Sequence, residues 1–102
     1  MGDKLTIEEL AVRSRTIRES KGFVTTKDNM LEKLMLVVTE VAEAAEDVRH
    51  EQWDHFGEEL ADVCIRVLDI CASLGIDLEY EIVAKMLKNE QRPFLHGKKT
   101  LA

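Results

Sequence analysis

Hydrophobic and polar positions along this chain repeat at three- and four-residue intervals from near the start to near the end, and no stretch alternates with the two-residue period of a strand. Four helices are predicted on that basis, at about 6–20, 27–48, 54–74 and 77–92. The first opens at Thr6, whose hydroxyl and Glu9 form a capping box in "TIEE", and stops near Gly22. The second begins between Thr26 and Asp28 and runs to Val48, roughly 30 Å at the helical rise. The third ends at Gly75, and the fourth starts on the N-cap Asp77 and must stop near Arg92, because Pro93 disfavours helix in the residue before it. Short connections predict antiparallel neighbours: an all-α, antiparallel four-helix bundle in a single domain, 1–102, with a basic tail at 93–102.

The faces of the two middle helices carry the information. On the third, Phe56, Leu60, Ala61, Val63, Cys64, Ile65, Val67, Leu68, Cys71 and Ala72 cover an arc of roughly 220°, about twice what a surface helix needs. Glu58, Glu59, Asp62, Arg66, Asp69 and Ser73 are confined to the remaining stripe. A helix so enclosed points its charges into an internal cleft, where carboxylates require hydrogen bonds, a cation or a proton. Arg66 can offset one of them, but not all. On the second helix Leu31, Leu34, Val38, Val41, Ala45 and Val48 form the main apolar face, with Glu40, Glu43, Lys33 and Asp47 opposite. Taken alone, that acidic side reads as solvated.

Spacing by itself is weak. With 20 acidic residues among 102, chance supplies roughly four acid pairs at i,i+3, and four occur: Glu40/Glu43, Glu43/Glu46, Glu51/Asp54 and Glu59/Asp62. The bland alternative is therefore a non-catalytic helical interaction module with a solvated acidic face. If the two polar stripes instead face each other across the hairpin, Glu40, Glu43, Glu59 and Asp62 converge. Four carboxylates without His or Cys make a hard oxygen site suited to Mg²⁺, or Mn²⁺, rather than zinc. The Glu-x-x-His repeats of a di-iron bundle are missing.

Composition narrows the partners. The formal charge of -6 argues against a nucleic-acid polymer as ligand. Its distribution is uneven, since Lys85, Lys88, Arg92, Lys98 and Lys99 crowd the C-terminal end, where Glu90 is the only acid. That division suits a polyanion arriving with a divalent metal. Cys64 and Cys71 lie about 10 Å apart along one helix, too far for a disulfide, in keeping with a reducing cytoplasm. No apolar run spans a bilayer, and no signal peptide precedes the first helix, so a cytoplasmic protein without a membrane partner is expected. The opening Met1-Gly2 with Thr6 matches a myristoylation pattern, but Thr6 has the simpler role of helix cap.

Glu40-x-x-Glu43, a spacer, Glu59-x-x-Asp62 and then "KMLKNEQRPFLHGKK" resemble the MazG family of all-α nucleoside triphosphate pyrophosphohydrolases, most of all its small single-domain branch. The ExxE, spacer, ExxD pattern is the hallmark of a superfamily that also holds dimeric dUTPases and phosphoribosyl-ATP pyrophosphatases, and the likeness covers about residues 28–99. It implies that Glu40, Glu43, Glu59 and Asp62 bind Mg²⁺, and that Lys33, Lys85, Asn89 and Arg92 hold a triphosphate. It further implies hydrolysis of a (d)NTP to (d)NMP and pyrophosphate, a housecleaning role, and a homodimer or dimer-of-dimers tetramer. The wide apolar arc of the third helix asks independently for a homo-oligomer. Trp53, in the loop between the acidic helices, reads either as a base-stacking surface or as a cover for the bundle end. His50 and His55 read as surface residues, and Lys98 and Lys99 as a solvated tail.

Overall fold

The computed structural model describes residues 4–93. It is helical, with α1 (Ile7–Ser20), a single 3-10 turn (Lys27–Asn29), α2 (Met30–Arg49), α3 (Trp53–Leu74) and α4 (Leu78–Glu90). The Lys98 and Lys99 tail and the Met1-Gly2 motif lie outside the described residues.

Local chemistry explains the boundaries. At the head of α1, the Thr6 N–H donates to Glu9 Oε1 at 3.0 Å and the Glu9 N–H to Thr6 Oγ1 at 3.1 Å. Those bonds from the Thr6 backbone and hydroxyl hold the Glu9 carboxyl below its usual range. Gly22, at φ 88°, lets the Phe23 N–H reach back to the Arg18 carbonyl at 3.0 Å, which folds Phe23 beneath the Arg18 guanidinium, 4.8 Å from its ring centroid. The second helix starts at Met30, later than its periodicity predicts. The Asn29 side chain is the reason: it accepts the Thr26 N–H at 2.9 Å and donates to the Val24 carbonyl at 2.8 Å, tightening 27–29 into the 3-10 turn. Gly75, left-handed at φ 71°, ends α3 and lets the Ile76 N–H bond the Cys71 carbonyl at 2.8 Å.

α3 is the centre of the molecule, packed on one side by α1 and on the other by α2. α4 leans on α1 and stands otherwise apart, so within one chain the bundle is a three-helix layer with a fourth helix at its margin. The α1–α3 contact is pinned by polar groups: Arg15 donates to the Ala72 carbonyl at 3.2 Å, and Asp69 on α3 accepts the Thr25 hydroxyl at 2.6 Å with Arg18 Nε 3.6 Å away.

The burial pattern decides between the two readings of α2, an acidic side in solvent or a polar stripe facing that of α3. Among the described residues, the buried apolar side chains are only Ala11, Ala44 and Cys71, and no large side chain is fully enclosed. The apolar face of α2 is turned outward, with Leu31 81% exposed and Leu34, Val38, Val41 and Val48 also exposed. The opposite, polar side of α2 is the one that packs on α3: Lys33 and Ala44 are buried, and Glu40 and Asp47 partly so. Leu60 and Ile65 on α3, and Tyr80, Val83, Met86 and Leu87 on α4, are exposed as well.

Candidate active site

The inward residues of α2 (Lys33, Glu40, Ala44, Asp47) and of α3 (Glu59, Asp62, Arg66, Asp69, Ser73) each recur at intervals of three, four or seven, one stripe per helix. Ala44, 4% exposed, supplies the small contact that lets the two helices approach. The turn at 50–52, with Glu51 at φ 54°, reverses the chain, so the stripes run antiparallel and face each other.

Glu40 Oε1 accepts a 2.8 Å hydrogen bond from Arg66 Nε, and the two side chains are 12% and 23% exposed. Beside that pair, one carboxylate oxygen each from Glu40, Glu43 and Glu59 lie within 4.8 Å of one another. Burial raises the Glu59 pKa above its ordinary 4.5, and the surrounding Glu43, Asp47, Asp62 and Glu40 raise it further. Asp62 stands outside the close triad, yet near enough to act on Glu59. Asp47 belongs to the same neighbourhood, and its Oδ2 is buried without a hydrogen-bond partner.

These observations fit a divalent cation. Octahedral Mg²⁺ with oxygens at about 2.1 Å places its ligand atoms roughly 3 to 4.2 Å apart, so the three oxygens need only a small side-chain adjustment to share an ion. All the donors are carboxylates, the hard set that Mg²⁺ and Mn²⁺ prefer. Crowded anions, one raised pKa and one orphaned carboxylate oxygen are the electrostatic demands that such an ion meets.

The remaining sequence candidates are dispersed. Lys33 is buried on the same seam, farther along α2, with Nζ 5.9 Å from the Phe23 ring centroid. Trp53 is 59% exposed at the start of α3 and meets Phe56 edge-on at 5.6 Å. Lys85 and Asn89 flank a shallow depression on α4 with Glu81, Ile82 and Met86. No ion pair among the described residues links Lys85 to the seam. Arg92 follows the end of α4, its N–H bonded to the Asn89 carbonyl at 3.2 Å. His50 and His55 are exposed, and His50 Nε2 lies 3.3 Å from Glu46.

Sequence reasoning placed Asp47 on the right side of α2 but left it out of the site. Its position four residues after Glu43, in the same stripe, was the available signal. The Arg18, Phe23, Thr25 and Asp69 cluster gave no such signal, because it depends on how the α1–α2 connection folds back.

Comparison with curated proteins found no match, and neither did comparison with solved structures. A family profile, that of the MazG nucleotide pyrophosphohydrolase domain, does match, over residues 27–94. That stretch contains both acidic helices, the hairpin that sets their stripes face to face, and all of α4. With the match covering most of its length, the chain belongs to the MazG nucleotide pyrophosphohydrolase family.

Proposed function

We propose that this protein is a Mg²⁺-dependent nucleoside triphosphate pyrophosphohydrolase, cleaving a (d)NTP between its α and β phosphates to give (d)NMP and pyrophosphate. The observation that carries this reading is the meeting of Glu40, Glu43 and Glu59 oxygens within 4.8 Å on facing helices. In this proposal Glu40, Glu43, Glu59 and Asp62 hold the metal, with Mn²⁺ an alternative occupant. Bound there, Mg²⁺ supplies charge neutralisation of the phosphates and an acidified water. The chain's own part is to orient the ion and to take the proton of the attacking water on a carboxylate that Arg66 does not hold. Lys33 and Arg66 along the seam, and Lys85, Asn89 and Arg92 from α4, are the proposed phosphate contacts. Trp53 is the proposed base-stacking surface.

We further propose a homodimer or dimer of dimers. The exposed apolar faces of α2, α3 and α4 support it, since a second copy of this chain would cover them. Such assembly would also give Lys85 and Asn89 a route to a carboxylate seam that they do not meet within their own chain. A cytoplasmic setting and a housecleaning role on the nucleotide pool complete the reading. No described helix is long and apolar enough to cross a membrane, and Cys64 and Cys71 are both free.

The interaction-module alternative needs an acidic face turned to solvent. Glu43 is exposed, but Glu40 and Glu59 are half-buried against the neighbouring helix, and that weighs against it. The deciding experiment incubates the protein with a panel of ribo- and deoxynucleoside triphosphates and Mg²⁺ and measures pyrophosphate. Turnover should appear, and Glu59→Gln should reduce it by about 10² or more. An absence of turnover on every nucleotide would return the protein to the class of interaction modules.

A further inference from the structure

We propose that Arg66 is an exchangeable counter-charge: its guanidinium competes with the divalent cation for Glu40 and, when displaced, serves the phosphate of the incoming ligand. This inference rests on the metal-dependent reading above and goes beyond it by giving one residue opposite effects on two ligands.

The argument starts from the number of charges. Glu40, Glu43, Asp47, Glu59 and Asp62 lie on one seam, and Arg66 is bonded to the first of them, its Nε donating to Glu40 Oε1 at 2.8 Å. Both partners are largely shielded, so the attraction is weakly screened and Glu40 is firmly engaged. Glu40 is also one of the three residues whose oxygens approach within 4.8 Å. An ion drawing on that triad must therefore share or replace the arginine.

A guanidinium has five N–H donors in a planar fork, and Glu40 uses one of them. The terminal nitrogens of Arg66 donate to no acceptor among the described residues. The side chain that carries them is 23% exposed, so solvent and a ligand can reach it. Such a fork matches phosphate oxygens in a way that a lysine ammonium does not. When a dication neutralises the cluster, the hold of Glu40 on Arg66 weakens and the fork is free to follow the anion. Metal arrival and phosphate capture are thereby coupled through one side chain.

The test uses two probes and one near-isosteric variant, Arg66→Met, which retains the packing stem. Binding of Mn²⁺ alone, followed through the free-ion paramagnetic resonance signal, should tighten by about tenfold, the factor that one charge-assisted hydrogen bond commands. Binding of inorganic pyrophosphate in the presence of saturating Mn²⁺, followed calorimetrically, should weaken by a similar factor. An arginine with a purely structural role would shift both affinities the same way, or neither, and either result overturns the proposal. Arg66→Lys, measured identically, should fall between wild type and Arg66→Met for both probes. A lysine variant with pyrophosphate affinity equal to that of Arg66→Met and unchanged Mn²⁺ affinity would also overturn it. Failure of the wild type to bind Mn²⁺ at millimolar concentration would remove the metal reading itself, whereas normal Mn²⁺ binding without opposed shifts would remove only the exchange.

Discussion

Asp69 is the most buried charge in the described chain, 3% exposed, and its partners allow a prediction of size as well as direction. The Thr25 hydroxyl donates to Oδ2 at 2.6 Å, while Arg18 Nε stands 3.6 Å from the same oxygen, too far for a charge-assisted hydrogen bond. Thr25 is therefore the principal partner and Arg18 an electrostatic supplement. Thr25→Val removes the hydroxyl with almost no change in shape. A hydrogen bond to a buried ionised group contributes about 1.5 to 3 kcal/mol, and this site is closed enough for the full range to apply. Asp69→Ala strands both the hydroxyl and Arg18, and should cost about 3 to 5 kcal/mol. Once Asp69 is gone, Thr25→Val has little left to remove, so the double variant should resemble Asp69→Ala, with a coupling of about 1.5 to 3 kcal/mol. Urea unfolding at one fixed protein concentration gives these values, because self-association adds to apparent stability. In a thermal scan each kcal/mol corresponds to about 4 to 8 °C for a domain of this size. A Thr25→Val effect under about 0.5 kcal/mol, or additive single effects, would show that Asp69 does not anchor the α1–α2 connection to α3.

Three further outcomes follow from the same geometry. Because the folded pKa of Glu59 is raised, its favourable contribution is fully present below the ordinary 4.5 and is lost as pH rises through the folded value. Melting temperatures in EDTA should therefore show Glu59→Gln above wild type near neutrality, with the gap closing below about pH 4.5; a gap independent of pH would contradict the crowding. Val38→Glu places a charge in the centre of the exposed α2 face and should convert an oligomeric wild type to monomer by light scattering, whereas a monomeric wild type would refute the assembly proposal. Trp53→Ala should weaken nucleotide affinity by about 1 to 3 kcal/mol without affecting pyrophosphate. Equal losses for both ligands would exclude stacking.

The local features of the fold were legible because they are written in neighbouring residues. The capping box of Thr6 and Glu9, the Asp77 cap and the stops at Gly22 and Gly75 involve partners no more than five positions apart. The helix faces were legible too, but α2 taken alone points its acids to solvent, and only pairing its polar stripe with that of α3 turns that face inward. Amphipathicity states that a helix has two sides, and the partner decides which side is covered. For α2 the chain's own partner is the polar stripe of α3, which leaves Leu31 and Val38 in solvent. Arg66 was recognisable as a counter-charge for one carboxylate, while its choice of Glu40 depends on the antiparallel register set by the turn at 50–52. Asp69 with Thr25, 44 residues apart, lay beyond any periodicity argument.

The layout leaves two demands unmet within one chain, and they are of different kinds. Between α2 and α3 the excess is of negative charge, shown by the raised Glu59 and the unpartnered Asp47 oxygen. On the outside of α2 the excess is of apolar surface. A cation answers the first and does nothing for the second, and a second copy answers the second without neutralising the first. Binding that favours the folded state stabilises it by an amount logarithmic in ligand concentration. Under the proposals made above, stability therefore rises along two independent axes, metal and protein concentration, and the Arg66–Glu40 bond lies on the first alone. The seam's repulsion is then not a defect in packing: it is the differential interaction that gives metal loading its energetic leverage over the fold.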